Sequence, residues 1–334
     1  MLARLRGIYR RIGVFSRNFQ GLKTNGRRII DLSRQVEQLQ REMRLLLGEF
    51  TLPATELWVG QPCLAEGAPA SDAFPYSTLC RQECFEQDYF SYWTQKLGQR
   101  LRYHRKLWEY VFICQVLWER GMLRPGAKGL GFGVGREPLV AFFASQDCQI
   151  TATDVAPKTA LKYGWSNSAQ HATGVEALRF PSLCPDEQLD RNVAFRVCDM
   201  NDVSTDLTDY DFCWSACALE HLGSIEHGLR FIERIVDCLK PGGWAVHTTE
   251  FNTSSNDLTV SEGATVLFRR RDFEALAARL RAKGHFVAPF DFTPGLAAVD
   301  RYIDVPPFRA EPHLRLAIEG YATTSFGIIV QRGA

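Results

Sequence analysis

The 334-residue chain predicts an α/β protein, a doubly wound and mostly parallel sheet preceded by a helical N-terminal extension. Three observations carry this reading. First, Gly131, Gly133 and Gly135 follow a short apolar run and lead into Leu139-Val140-Ala141-Phe142-Phe143-Ala144. That is the pattern of a strand, a glycine turn and a helix, in which backbone N–H groups at the helix N-terminus can approach a ligand closely. Second, the β-branched run Gln149-Ile150-Thr151-Ala152-Thr153 ends in Asp154, about twenty residues beyond the glycines, where a doubly wound fold places a carboxylate beside the turn. Third, strand-like and helical patterns alternate from there to the C-terminus.

Composition sets the bounds. With 46% hydrophobic residues the chain has ample material for a core, and a formal net charge of +1 leaves no overall field to draw nucleic acid, so no nucleic-acid partner is expected. Cys114, Cys148, Cys198, Cys213 and Cys238 lie inside apolar segments, which suits buried thiols in a reducing compartment. Cys80 and Cys84 are the closest-spaced cysteines apart from Cys213 and Cys217, but no nearby His or second close cysteine pair completes a zinc pattern with them, so no metal is expected. No apolar run reaches the roughly 18 residues of a membrane span, and the N-terminus lacks the features of a signal peptide. A cytoplasmic protein is expected.

Residues 1–28 carry eight basic side chains and no acid, while Leu5, Ile8, Ile12, Phe15, Phe19 and Leu22 recur at spacings of three and four. This basic amphipathic helix is expected either to lie on an anionic membrane surface or to be packed on a partner or simply mobile. From Ile29 the stripe continues through Leu32, Val36, Leu39, Met43 and Leu46, a short heptad seam. Over 29–46 it predicts either a homodimeric coiled coil or a helix laid on the chain's own domain. Residues 1–50 thus form the extension, the Pro-, Ala-, Gly- and Ser-rich stretch 51–84 reads as a linker, and 85–334 as the main domain.

Helices are expected around Tyr89 to Trp93 and over 101–117, the second carrying Tyr103, His104, Arg105, Lys106, Trp108 and Glu109 just ahead of the glycine turn, either over a ligand or as a solvated face. After Asp154 the chain takes 44 positions to reach Asp199-Met200 behind the strand Val193 to Cys198, more than one crossover helix needs. A fourth strand at Asp211 to Ser215 runs into Leu219-Glu220-His221-Leu222. A helix from about Ile225 to Leu239 should stop at Lys240-Pro241-Gly242-Gly243, ahead of a fifth strand, Trp244 to Thr249, that ends in Glu250. Then come a helix over 272–282, a strand at His285-Phe286-Val287 and a last apolar strand from Thr323 to Gln331.

These residues resemble the seven-stranded Rossmann-like methyltransferases that use S-adenosylmethionine, over roughly residues 120–332. The resemblance implies a seven-stranded sheet whose last strand is antiparallel. It implies that Gly131, Gly133 and Gly135 cradle the cofactor, that Asp154 meets its ribose, and that Asp199 and Met200 lie at the adenine. Ser215 falls where the fourth strand reaches the active site. One departure stands out: family members often have an acid two residues before the first glycine, and here that residue is Gly129, so Glu137 or a backbone carbonyl must serve the cofactor's amino group.

Methyl transfer requires an acceptor in line with the activated methyl group and, for a hydroxyl acceptor, a base. His221 and Glu250, at the carboxyl ends of the fourth and fifth strands, are the candidates, with His247 on the strand face opposite Glu250. Arg269-Arg270-Arg271 either hold an anionic acceptor or form a solvated face. The expected activity is O-methylation of a polar small molecule or glycan. The other readings are a nicotinamide-dependent oxidoreductase, disfavoured because Arg136 stands where a third dinucleotide glycine would fall, and a non-catalytic cofactor-binding scaffold assembled by the coiled coil.

Overall fold

The computed structural model describes residues 72–157 and 170–334, together with Pro69 and Leu32, Ser33, Gln35, Val36, Gln38 and Leu39. Those last six are helical, with Leu32, Val36 and Leu39 half-buried; the rest of the expected extension over 1–50, including the basic stretch 1–28, lies outside the described residues.

In chain order the described elements begin with β1 (Ser77–Thr78), α1 (Gln82–Phe85), α2 (Asp88–Lys96) and α3 (Arg105–Glu119). The alternating core follows as β2 (Lys128–Phe132), α4 (Leu139–Ser145), β3 (Gln149–Asp154), α5 (Asp186–Asn192), β4 (Val193–Val197), β5 (Tyr210–Ala216), α6 (Ile225–Ile235) and β6 (Leu239–Asn252). The chain closes with α7 (Arg270–Ala282), β7 (Phe286–Val287), β8 (Phe290–Asp291), α8 (Ala298–Arg301), β9 (Ile303–Asp304), β10 (Arg315–Ile318) and β11 (Tyr321–Gln331).

The main sheet runs β4-β3-β2-β5-β6-β11-β10-β9. Strands β2 to β6 are mutually parallel, and β11 joins β6 antiparallel over Thr323↔Asn252 to Gln331↔Trp244. This is the expected α/β sheet with its antiparallel last strand, but with nine strands in place of seven. The two strands beyond seven are β9 and β10, outside β11. Pro289, which has no N–H to give a ladder, follows Phe286–Val287 closely and keeps β7 short. The short β7 therefore pairs only with Val330 and Gln331, and the β10–β11 hairpin covers the other end of β11 with β9 beside it.

Alternate strand residues feed two cores. Phe212, Trp214 and Val246 face α2, α3 and α4, while Cys213 and Ala245 face α6 and α7. Both faces are covered, which is why the central strands read as continuous apolar runs. Two expectations needed adjustment. Residues 72–84, read from composition as the end of a linker, are built into the domain: Phe74 packs on Tyr89 and Phe112, and Cys80 N–H donates to the Ser325 carbonyl at 2.8 Å. The helix before strand five passes at Val236–Cys238 into a 3₁₀ turn and gives way at Leu239 directly to β6, so Pro241 lies within the strand at a register shift opposite Tyr210 and Phe212 rather than in a turn ahead of it.

Strand order reverses between β2 and β5, since β3 and β4 lie on one side of β2 and the chain then returns to its other side. In an open α/β sheet the ligand crevice lies outside the carboxyl ends of the strands at that reversal. Here those ends are the glycine turn after Phe132 and the residues after Ala216.

Candidate active site

The glycine turn is shaped by two requirements. Gly133 and Gly135 have φ of +55° and +53°, the left-handed region that side chains disfavour. Gly129 and Gly131 lie within β2, where a Cβ would fall 2.4 Å from Phe212 and from Trp214, respectively. Gly129 also faces Ile150 at 2.8 Å, so the position at which the family often carries an acid is closed by packing.

Asp154 holds the turn. Its Oδ2 accepts from Gly135 N–H at 3.2 Å and Ala172 N–H at 3.1 Å, and its Oδ1 accepts from Val155 N–H at 2.8 Å. Burial raises its pKa, against these three backbone donors and His171, whose Nε2 lies 3.8 Å away. A carboxylate has about four lone-pair sites, so one remains for a ligand hydroxyl. Buried Met200 places its sulfur 3.5 Å from where a Gly133 side chain would begin, giving the turn an apolar neighbour. Asp199 is exposed, its Oδ1 accepting from Asn201 N–H at 2.8 Å.

Ser215 and His247 are both fully buried and bonded to one another, Oγ to Nδ1 at 2.8 Å. Phe231 of α6 lies 5.8 Å from the His247 ring, so this pair faces the helix layer. Burial pushes His247 down to about 3. His221 follows β5 in a short 3₁₀ turn, half-buried, with Nδ1 2.8 Å from the Ala264 carbonyl. A carbonyl can only accept, so Nδ1 carries the proton and Nε2 is the basic atom of the neutral ring.

Glu250 sits in a buried charge cluster whose other members sequence reasoning placed only on a dense polar helix. His104 caps α3, its Nδ1 accepting from Lys106 N–H at 3.1 Å. The cap segment is hooked to the β10 hairpin, as Arg105 N–H donates to the His313 carbonyl at 2.9 Å. Helical spacing then sets Arg105, Lys106 and Glu109 on one face, at the carboxyl edge of the sheet. Arg105 pairs with Glu250, whose other oxygen accepts from Thr323 Oγ1 at 2.5 Å. Burial raises the Glu250 pKa, opposed chiefly by Arg105. Glu109 accepts from Ser325 Oγ at 2.6 Å and lies 3.0 Å from the Cys217 thiol. Lys106 Nζ lies 2.8 Å from Glu109, 3.2 Å from Glu137 and 3.2 Å from the Ala216 carbonyl. Burial pushes Glu137 up to about 7 despite Lys106 and Tyr110.

Sequence alone could list these side chains but not pair them, because Arg105 and Glu250 are 145 residues apart. The Arg269 to Arg271 run is locally paired, with Asp272, Glu274 and Asp257.

The structure thus brings together the glycine turn, Asp154, Met200, Glu137 and the end of β5, with the Lys106–Arg105–Glu250 cluster beside them. These residues fit a nucleoside carrying an amino acid. There is a carboxylate with a lone pair to offer hydroxyls, a methionine sulfur at the turn, and a corner between Glu137 and Ala216 that already accommodates an ammonium group.

Residues 129–247 match the profile of the family described as "Methyltransferase domain". The stretch from β2 into β6 is thus similar to a methyltransferase domain, and S-adenosylmethionine is the cofactor that this similarity supports. No curated protein matches the chain. Among solved structures, a putative sarcosine dimethylglycine methyltransferase from Galdieria sulphuraria is similar at 14% identity, covering 74% of this chain and 99% of that one, with a TM-score of 0.42. A magnesium protoporphyrin IX methyltransferase from Synechocystis with bound S-adenosylhomocysteine aligns at 12% identity over 68% and 83% of the two chains, TM-score 0.40. A phosphoethanolamine N-methyltransferase from Haemonchus contortus in complex with S-adenosyl-L-methionine aligns at 14% over 72% and 53%, TM-score 0.41.

Proposed function

We propose that this protein transfers the methyl group of S-adenosylmethionine to oxygen on a polar small molecule or glycan. One observation carries the reading: the residues that match the methyltransferase profile are those that converge at the strand-order reversal, with Asp154 braced on the Gly135 turn and the end of β5 beside it. When bound, the cofactor supplies an activated methyl group on a sulfonium. The protein's share is to bind it, align the acceptor and take the acceptor's proton. The glycine turn and Asp154 hold the ribose end, with Met200 and Asp199 toward the base. Ser215 supports the β5 end from within the sheet through His247. His221 is the proposed base, because the Ala264 carbonyl fixes Nδ1 as donor and makes Nε2 the accepting atom. Glu250 is the second candidate, its pKa raised by burial. While it is paired with Arg105 it positions that guanidinium at the acceptor side.

Residues 29–46 are proposed to join two copies, and residues 1–28 to touch an anionic membrane surface from the cytoplasmic side; both rest on the sequence pattern alone. Light scattering of a chain lacking residues 1–50 checks the first, and an unchanged oligomer mass would exclude it.

The activity is tested by incubating the protein and methyl-labelled S-adenosylmethionine with fractionated polar metabolites and glycans, then locating the label by mass spectrometry. Label on an oxygen, lost in His221→Ala, is the expected result. Cofactor binding without transfer to any fraction would contradict the enzymatic reading, and label on nitrogen would contradict O-methylation.

A further inference from the structure

The amino acid end of S-adenosylmethionine is a zwitterion, and its ammonium needs an acceptor that Gly129 cannot provide. Phe212 and Ile150 occupy the space an acid there would need. The glycine turn itself carries one acid further on, Glu137, two residues past Gly135. Its side chain is 18% exposed, and Lys106 is the cation paired with it among the described residues.

The charges of this cluster do not balance internally. Arg105 pairs with Glu250, and Lys106 lies closest to Glu109, at 2.8 Å. Glu137 is thus a further carboxylate beyond the two that hold Arg105 and Lys106 most closely, and it shares Lys106 at 3.2 Å. A buried carboxylate without a cation of its own is costly, so such a residue calls for one more positive charge. The Lys106 ammonium also lies 3.2 Å from the Ala216 carbonyl, at the end of β5. One ammonium can therefore bridge Glu137 and Ala216, and Lys106 does so from a long, flexible stem.

We propose that Glu137 takes the place of the acid missing at position 129, and that Lys106 stands in for the cofactor's ammonium in the corner between Glu137 and Ala216. On binding, the α-ammonium takes over Glu137 and the Ala216 carbonyl, while Lys106 keeps Glu109 and turns to the α-carboxylate. Glu137 then has an ammonium of its own, and Lys106 is shared between Glu109 and the α-carboxylate. This rests on the S-adenosylmethionine reading above and specifies how the methionine end is recognised.

Calorimetric titration with three probes tests it: S-adenosylhomocysteine, decarboxylated S-adenosylmethionine, which lacks the carboxylate, and 5′-methylthioadenosine, which lacks the whole amino acid end. Glu137→Gln is expected to weaken the first two at least tenfold, about 1.4 kcal/mol, and the third less than about threefold. Lys106→Met is expected to weaken S-adenosylhomocysteine about tenfold while leaving the decarboxylated ligand within about threefold. Retained methylthioadenosine binding shows in the same experiment that each variant is folded. S-adenosylhomocysteine binding unchanged in Glu137→Gln, or lost in step with methylthioadenosine, would overturn the proposal. If the unaltered protein binds S-adenosylhomocysteine no better than methylthioadenosine, the cofactor reading stands and this inference fails; if it binds none of the three, both fail.

Discussion

Replacing Glu137 by Gln should make the ligand-free protein more stable at alkaline pH. Burial lifts the folded carboxyl from its ordinary 4.5 to about 7. Between those two values the native state binds the proton that the unfolded state has released, so stability falls as pH rises through the window and levels off above about 7. At 1.36 kcal/mol for each tenfold step in proton affinity, the cost at pH 8 is about 3 kcal/mol, and near pH 5 it has shrunk below about 1 kcal/mol. Glutamine has no charge to bury and retains a carbonyl for Lys106. Urea unfolding of both proteins at pH 5, 6, 7 and 8, without cofactor, reads this directly. The variant should gain up to about 3 kcal/mol at pH 8 and little at pH 5. A gain independent of pH, or a variant less stable at pH 8, would refute the claim that Glu137 is a burdened carboxylate held for a ligand.

Three other substitutions probe the same architecture. Asp154→Asn turns an amide N–H toward backbone donors that now reach a carboxylate, and should cost about 1–3 kcal/mol in chemical denaturation and at least tenfold in cofactor affinity; an unaffected protein would remove Asp154 from the turn's support. Arg105→Met leaves Glu250 buried without its cation and should cost about 3–5 kcal/mol, with most of it recovered by adding Glu250→Gln. A loss under about 1 kcal/mol would show that the pair is not load-sharing in the core. Gly129→Ala places a Cβ 2.4 Å from the Phe212 ring and should cost about 1–3 kcal/mol, relieved by Phe212→Leu; a neutral substitution, measured by thermal unfolding, would mean that packing does not exclude an acid there.

The parts of this site legible in the sequence are those set by local pattern. The strand leading to Asp154 and the helix after the glycine turn lie where their periodicity puts them, at Gln149–Asp154 and Leu139–Ser145. The reason for Gly129 was not legible, because it depends on Phe212 from β5 and Ile150 from β3, brought beside it only by the sheet. Likewise Arg105, Lys106 and Glu109 read as a polar helical stretch, and their pairing with Glu250, Ser325 and Glu137 follows from tertiary contacts 145, 216 and 31 residues apart. The strands β9 and β10 at the edge of the sheet have no such local signal. β9 and β10 are two and four residues long, too short to show a period against the proline-rich chain around them.

The crevice at the strand-order reversal is where S-adenosylmethionine is expected to bind. Calorimetric titration of the full chain with S-adenosylmethionine, S-adenosylhomocysteine and NADH decides this. The first two should bind at one site per chain and compete, with NADH showing no heat. Binding of NADH alone would mean that the crevice is a dinucleotide site and not one for S-adenosylmethionine.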